Sequence, residues 1–148
     1  MLRVTRQTDY AVLLLTQFAI EERVFSARDL AARTGLSTAM VSKVLKLLLQ
    51  KGLLTSQVGA KGGYALARSA EGISMADVVA ALEGPVAVTA CSDRRTDPCE
   101  HEHWCPCRPH WRHINDAIRA ALESVSLATI ARPLAARKRE NDPVGALG

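Results

Sequence analysis

Four cysteines, Cys91, Cys99, Cys105 and Cys107, fall within one short stretch of a 148-residue chain. Thiolates are soft ligands, and a group this dense suits zinc, Cu(I) or an iron–sulfur cluster. The intervals between them are seven, five and one residues. A structural zinc knuckle favours CxxC-type pairs that each grip one tetrahedral ion. No CxxC occurs here, and wide intervals suit ligands spread around a larger cluster. Spacing alone leaves zinc and an iron–sulfur cluster both open. His101, His103, His110 and His113 are near enough in sequence to complete either site, or to be surface residues of a polar loop. Cys105-Pro106-Cys107 also permits a reversible disulfide in a thiol-responsive interaction protein.

These cysteines need a scaffold. Residues 85–109 hold four prolines, all four cysteines and little periodicity, which predicts an irregular cysteine-rich loop. After the loop, Trp111, Ile114, Ile118, Ala121, Val125 and Ala128 recur in steps of three and four. That seam predicts one long helix over 110–131 that needs a partner helix, either a second copy or the first helix of its own chain. Residues 132–148, beginning at Arg132-Pro133 and ending in small residues, are expected to be a disordered tail.

Residues 1–84 read differently. An apolar helix is expected from about Thr8 to Glu22, and a short one from Ala27 to Arg33 capped by Ser26. Gly35 supplies the turn, and Ser37 caps a third helix that reaches Lys51 and stops at Gly52. Leu53–Val58 and Tyr64–Leu66 read as two strands around a glycine-rich turn. A fourth, short helix runs from Ser74 to Leu82, with Asp77 completing its cap and Gly84-Pro85 ending it. The expected fold is mainly α with a small β-hairpin: a winged helix-turn-helix followed by a long dimerisation helix.

Charge supports that order of elements. Residues 1–68 carry ten Lys/Arg against four Asp/Glu, whereas residues 69–148 carry nine against eleven. A basic front half fits a polyanion, and nucleic acid is the usual one. A major-groove helix needs short polar residues at its start to reach base edges. Ser37, Thr38, Ser42 and Lys43 meet that need. Lys46 and Arg28 are placed to neutralise phosphates, and Lys61 at the hairpin tip to reach a minor groove.

Other classes are disfavoured. Arg3 and Arg6 precede an apolar run, but Thr16, Gln17 and the following Glu21, Glu22 and Arg23 break any signal-peptide pattern. No stretch approaches a membrane span, so a cytoplasmic protein is expected. No nucleophile–base pair stands out, so neither an enzyme nor a small-molecule substrate is expected.

The assembled motifs resemble the iron–sulfur and nitric-oxide sensing transcription regulators that include IscR, NsrR and RirA. The resemblance covers roughly residues 1–131. It rests on Leu2-Arg-Val-Thr-x-x-x-Asp9-Tyr-Ala-Val12, on Leu30 to Leu54, on the wing Gly59-x-x-Gly62-Gly63-Tyr64-x-Leu66, and on Cys91, Cys99 and Cys105. The run Cys105-Pro-Cys-Arg-Pro-His-Trp-Arg-His-Ile-Asn115 resembles the branch of SUF-system assembly regulators. The resemblance implies a homodimer on a palindromic operator, an iron–sulfur cluster (2Fe–2S or 4Fe–4S) on Cys91, Cys99 and Cys105, and repression of iron–sulfur assembly genes. It offers Asp9, from the partner's first helix, as a fourth ligand; Cys107, a thiol outside the family pattern, is the other candidate. Relatives often carry an arginine where this chain has Val58. A zinc-stabilised regulator remains the alternative.

Overall fold

The computed structural model describes residues 3–92 and 99–140. Helix α1 spans Arg6–Ile20 and begins two residues before the position expected from its apolar run. The cause is Thr5, whose hydroxyl accepts from the Thr8 amide at 3.3 Å and so caps the helix. Ala11, Leu14, Leu15 and Phe18 line its buried face, at the spacing of one helical stripe. The helix ends at Ile20, ahead of the expected Glu22, because Glu21 is already extended.

Helix α2 (Ala27–Thr34) opens on a complete capping box: Ser26 Oγ accepts from the Asp29 amide, and Asp29 accepts from the Ser26 amide. The Ser26 hydroxyl, donating to Asp29 Oδ2 at 2.8 Å, and then the Ser26 amide hold the Asp29 carboxyl below its usual range. Gly35, at φ +73°, closes α2 in the left-handed region that only glycine enters at no steric cost. Helix α3 (Thr38–Gln50) follows at once, capped by Ser37. Strands β1 (Leu54–Gln57) and β2 (Gly63–Leu66) pair antiparallel, with Leu54 opposite Leu66 and Gln57 opposite Gly63. A second capping box, Ser74 with Asp77, starts α4 (Met75–Glu83).

The C-terminal half departs from expectation. In place of one helix over 110–131 there are two, α5 (Arg108–Glu123) and α6 (Leu127–Glu140). The break is held by bonds from far away in sequence. The Met75 amide donates to the Val125 carbonyl and the Leu127 amide to the Ile73 carbonyl, each at 2.8 Å. Ser126 then caps α6, its hydroxyl accepting from the Thr129 amide at 3.1 Å. Of the tail expected to be disordered, residues 132–140 are helical, and 141–148 lie outside the described residues. Pro133, inside α6, removes the hydrogen bond to the Thr129 carbonyl; both residues are exposed, so water can take that bond's place. Helix α5 also starts earlier than the expected His110, since Pro109 fits the first helical turn, where an amide hydrogen has no intrahelical partner anyway.

One core joins these parts. Phe18 and Phe25 meet edge to face at 5.3 Å, and Leu30, Val44, Leu45, Ile73 and Leu127 are completely buried around them. Helix α6 packs against α1, while α5 contacts α4 and the segment before it. Leu127 is thus the residue that commits the C-terminal helix to the N-terminal domain. Leu127→Ala should cost about 2–5 kcal/mol, the range for a truncated buried leucine, measured as a lower urea midpoint at unchanged m-value.

Candidate nucleic-acid interface and cysteine segment

Helix α3 turns Val41, Val44, Leu45 and Leu48 into the core. Its opposite face carries Thr38, Lys43 and Lys46, all exposed, with Ser42 half-buried beside them. Ser37 is exposed, but its oxygen is engaged as the cap, accepting from the Met40 amide at 3.2 Å. Ala39 and Gln50, neither a hydroxyl nor a charge, are exposed on the same open face. The i, i+4 interval from Lys46 was the available sign for Gln50. Arg28 is exposed in the first turn of α2.

The basic excess is not all available to a partner. Arg33 and Arg23 both bind Glu21, at 2.9 and 3.0 Å, and stack on the Phe25 ring. Arg68 pairs with Asp77 at 3.3 Å. Among the described residues Lys43, Lys46, Lys51 and Lys61 make no ion pair. The positive charge left over therefore lies on α3, at its end and at the hairpin tip, and also on Arg3, Arg6 and Arg28, which likewise make no ion pair among the described residues.

The hairpin is tied down by its base. Phe25 and Tyr64 exchange backbone hydrogen bonds at 3.0 and 2.8 Å, so the turn before α2 acts as a third strand-like contact for β2. Glycine is required in the turn: a Cβ on Gly62 would lie 2.3 Å from the Gln57 carbonyl oxygen. Lys61 is exposed there, and Val58 projects fully into solvent.

The cysteines occupy the connection from α4 to α5. Cys91 lies in a 3-10 turn (Ala90–Ser92), its sulfur 3.1 Å from the Thr89 hydroxyl. Cys99 and Cys105 are half-buried; Cys107 is exposed at the N-cap of α5. All four are free thiols. This donor set has the chemistry an iron–sulfur cluster needs, thiols with partial access to solvent. As folded here, no three His, Cys, Asp or Glu side chains among the described residues converge on one point. His101 packs edge on against Trp104, and His103, His110 and His113 are exposed. Glu102 pairs with Arg108 across the turn that carries Cys105. Asp9 is exposed on the first turn of α1.

Helix α5 buries a polar residue and exposes apolar ones. Asn115 is buried, its Oδ1 accepting from the Val88 amide at 3.2 Å, whereas Trp111 and Ile114 are each 42% exposed. Ala121 is exposed and Ile118 half-buried. The expected seam is therefore divided. Trp111, Ile114 and Ala121 face outward on α5 with Ile118 half-buried among them, Val125 lies in the break, and Ala128 joins the α6 surface packed on the core. Docking against the chain's own first helix is done by α6, not α5. No helix among the described residues is long and apolar enough to cross a membrane.

Residues 4–133 match the family model Rrf2, described as an iron-dependent transcriptional regulator. The chain is 33% identical over 133 residues to protein rrf2 of Nitratidesulfovibrio vulgaris, covering 88% of both. It is 30% identical over 128 residues to the HTH-type transcriptional regulator IscR of Photorhabdus laumondii, covering 85% of this chain and 77% of that one. Among solved structures it is similar to CymR, the global cysteine regulator of B. subtilis, with a TM-score of 0.68 and 26% identity over 89% of this chain and 98% of the other. The turn geometry of the wing yields a direct test. Gly62→Ala should destabilise the chain by about 1–3 kcal/mol, as overpacking does, read as a lower urea midpoint.

Proposed function

The chain belongs to the Rrf2 family of DNA-binding transcriptional regulators, a family of regulators and not of enzymes, and from that premise we propose that it is a dimeric repressor of iron–sulfur assembly genes whose grip on DNA depends on an iron–sulfur cluster. The observation that carries this reading is the cysteine segment. Three half-buried free thiols, Cys91, Cys99 and Cys105, lie on one connection between the helix-turn-helix and α5, in a family described as iron-dependent. The similarity of the run from Cys105 to Asn115 to SUF-system regulators favours assembly genes as the target.

Each part has a role that its chemistry fits. Cys91, Cys99 and Cys105 would hold the cluster, with Asp9 of a second copy or Cys107 as fourth ligand. Asp9 is the better candidate, because Pro106 and a one-residue gap strain joint use of Cys105 and Cys107. The cluster, when bound, supplies a crosslink sensitive to iron, oxidants and nitric oxide. Trp111, Ile114 and the rest of the outward face of α5 fit a second copy, since a cytoplasmic monomer gains by burying them. Two copies present two α3 helices to the half-sites of a palindrome. Thr38, Ser42 and Lys43 face base edges, Arg28 and Lys46 face phosphates, Ser37 orients the helix start, and Lys61 reaches the minor groove. A ligand shifts an equilibrium only through unequal affinity for its two states, so the dimer with the segment closed and the dimer with it open must hold the α3 pair differently.

Anaerobic purification tests the reading. The expected product is brown, with visible absorbance and matching iron and sulfide; colourless protein containing zinc overturns it. Asp9→Ala and Cys107→Ala should then differ, with only the true ligand's loss making the cluster labile. For the dimer, Ile114→Glu should give a folded monomer by sedimentation; a dimer unchanged by that charge would exclude the α5 face. Replacing Lys43 and Lys61 with alanine removes four cations from the dimer and should make the log–log salt dependence of operator binding shallower by up to about 3.6, at about 0.9 for each charge lost from the phosphate field. An unaltered slope removes both lysines from the interface.

A further inference from the structure

Glu83 is the last residue of α4, immediately before the cysteine segment. Its placement runs against its own helix, because the C-terminal end of a helix repels an anion. Its carboxylate instead reaches the start of α1. One oxygen, Oε1, accepts from the Thr5 backbone amide at 2.7 Å and from the Thr8 hydroxyl at 2.6 Å. These are short, charge-assisted bonds at a helix N-terminus, where an anion is favoured. Hydrogen bonding, first from Thr8 and then from Thr5, holds the Glu83 carboxyl below its usual range despite some cost of burial. Thr8 itself is only 2% exposed, and its hydroxyl has Glu83 and the Thr5 hydroxyl as partners.

The tie joins two places that matter. On one side is the first turn of α1, which carries Asp9, whose amide donates to the Thr5 carbonyl at 3.1 Å. On the other is the stem of the cysteine segment. Gly84, at φ +94°, turns the chain out of α4, and Val88 is pinned to Asn115 of α5. Thr89 follows with its hydroxyl on the Cys91 sulfur. The stem between Glu83 and Val88 is thus fixed at both ends, to α1 and to α5.

We propose that Glu83 is a positioning residue: its carboxylate couples the stem of the cysteine segment to the first turn of α1 and so sets where Asp9 stands. The coupling needs no cluster; its consequence for Asp9 rests on the function proposed above. A purely local cap would hold α1 without responding to the segment, and that difference is measurable.

The full chain is compared as wild type, Glu83→Ala and Glu83→Gln, before and after alkylation of its thiols with iodoacetamide. Amide hydrogen exchange is read at Thr5, Thr8 and Asp9, with α3 amides as the reference. In the wild type alkylation should speed exchange at those three amides while α3 stays protected. In Glu83→Ala they should already exchange about tenfold faster, the loss expected for charge-assisted bonds, and alkylation should add nothing. Glu83→Gln, whose amide oxygen still accepts, should restore the response. A wild-type first turn indifferent to alkylation, or a response that persists in Glu83→Ala, overturns the coupling. If Glu83→Ala also loses protection in α3, Thr8→Val takes its place, removing one donor and leaving the carboxylate.

A second arm reads Asp9. After anaerobic reconstitution with ferrous iron and sulfide, Glu83→Ala and Asp9→Ala should each shorten the lifetime of the visible absorbance in air. The double variant should be no worse than Asp9→Ala alone. Additive losses would reduce Glu83 to a local cap. A wild-type chain that takes up no iron and sulfide overturns the proposed function, and the exchange arm still decides the coupling.

Discussion

The architecture depends on one short antiparallel contact, where residues 73–75 meet residues 125–127. Two backbone hydrogen bonds, Met75 to Val125 and Leu127 to Ile73, interrupt what the apolar periodicity would otherwise continue as a single helix. Each bond contributes only about 0.5–1.5 kcal/mol net, while burying the Leu127 side chain contributes roughly 1.5–3. The two bonds together are therefore comparable to the burial, and the bonds in addition fix the register of the contact. From that point α6 returns to α1 and α5 is left with Trp111 and Ile114 in solvent. The same contact ties α6 into the core and leaves an apolar face of α5 exposed.

The reading head is organised by a division of its positive charge. Arg23 and Arg33 neutralise Glu21 and cover the Phe25 ring, and Phe25 in turn fixes the wing through Tyr64. These arginines stabilise the turn that joins α1 to α2. The lysines of α3 and the hairpin tip have no such duty among the described residues, and their charge stays free for a polyanion. A net charge taken over the sequence counts both groups alike. The charge of the second group, like that of Arg28, is not spent on an ion pair among the described residues.

Local signals in the sequence carried well and non-local ones did not. Ser26 with Asp29, Ser74 with Asp77, Gly35 and Gly52 mark their boundaries because caps and left-handed turns are decided within four residues. The hairpin was legible for the same reason, its glycines being demanded by a turn of few residues. The break between α5 and α6 was not, because the three-four spacing runs on through Ser124-Val125-Ser126 and the bonds that interrupt it come from residues about 50 positions earlier. Ser126 as a cap was the one local sign. The cysteines were legible as a group by their crowding, but their partners were not. Asn115 on Val88 and Glu83 on Thr5 and Thr8 link positions 27 to 78 residues apart, and no periodicity reports such pairs.

Helix α5 is joined to the rest of its own chain at two points. Asn115 holds its middle to the stem that follows α4, its C-terminal end passes into α6, and α4 and α6 both rest on α1. A rod held by one linker lets its load swivel freely; a rod clamped at two points can only tilt it. The DNA-reading unit is thus mounted like a bracket and not like a pendulum. In the dimer proposed above, motion of one α5 against another would be delivered to the major groove as a change of angle, with little of it dissipated in rotation about a loose joint. Such mounting also lowers the ordering entropy lost when two units settle on one duplex.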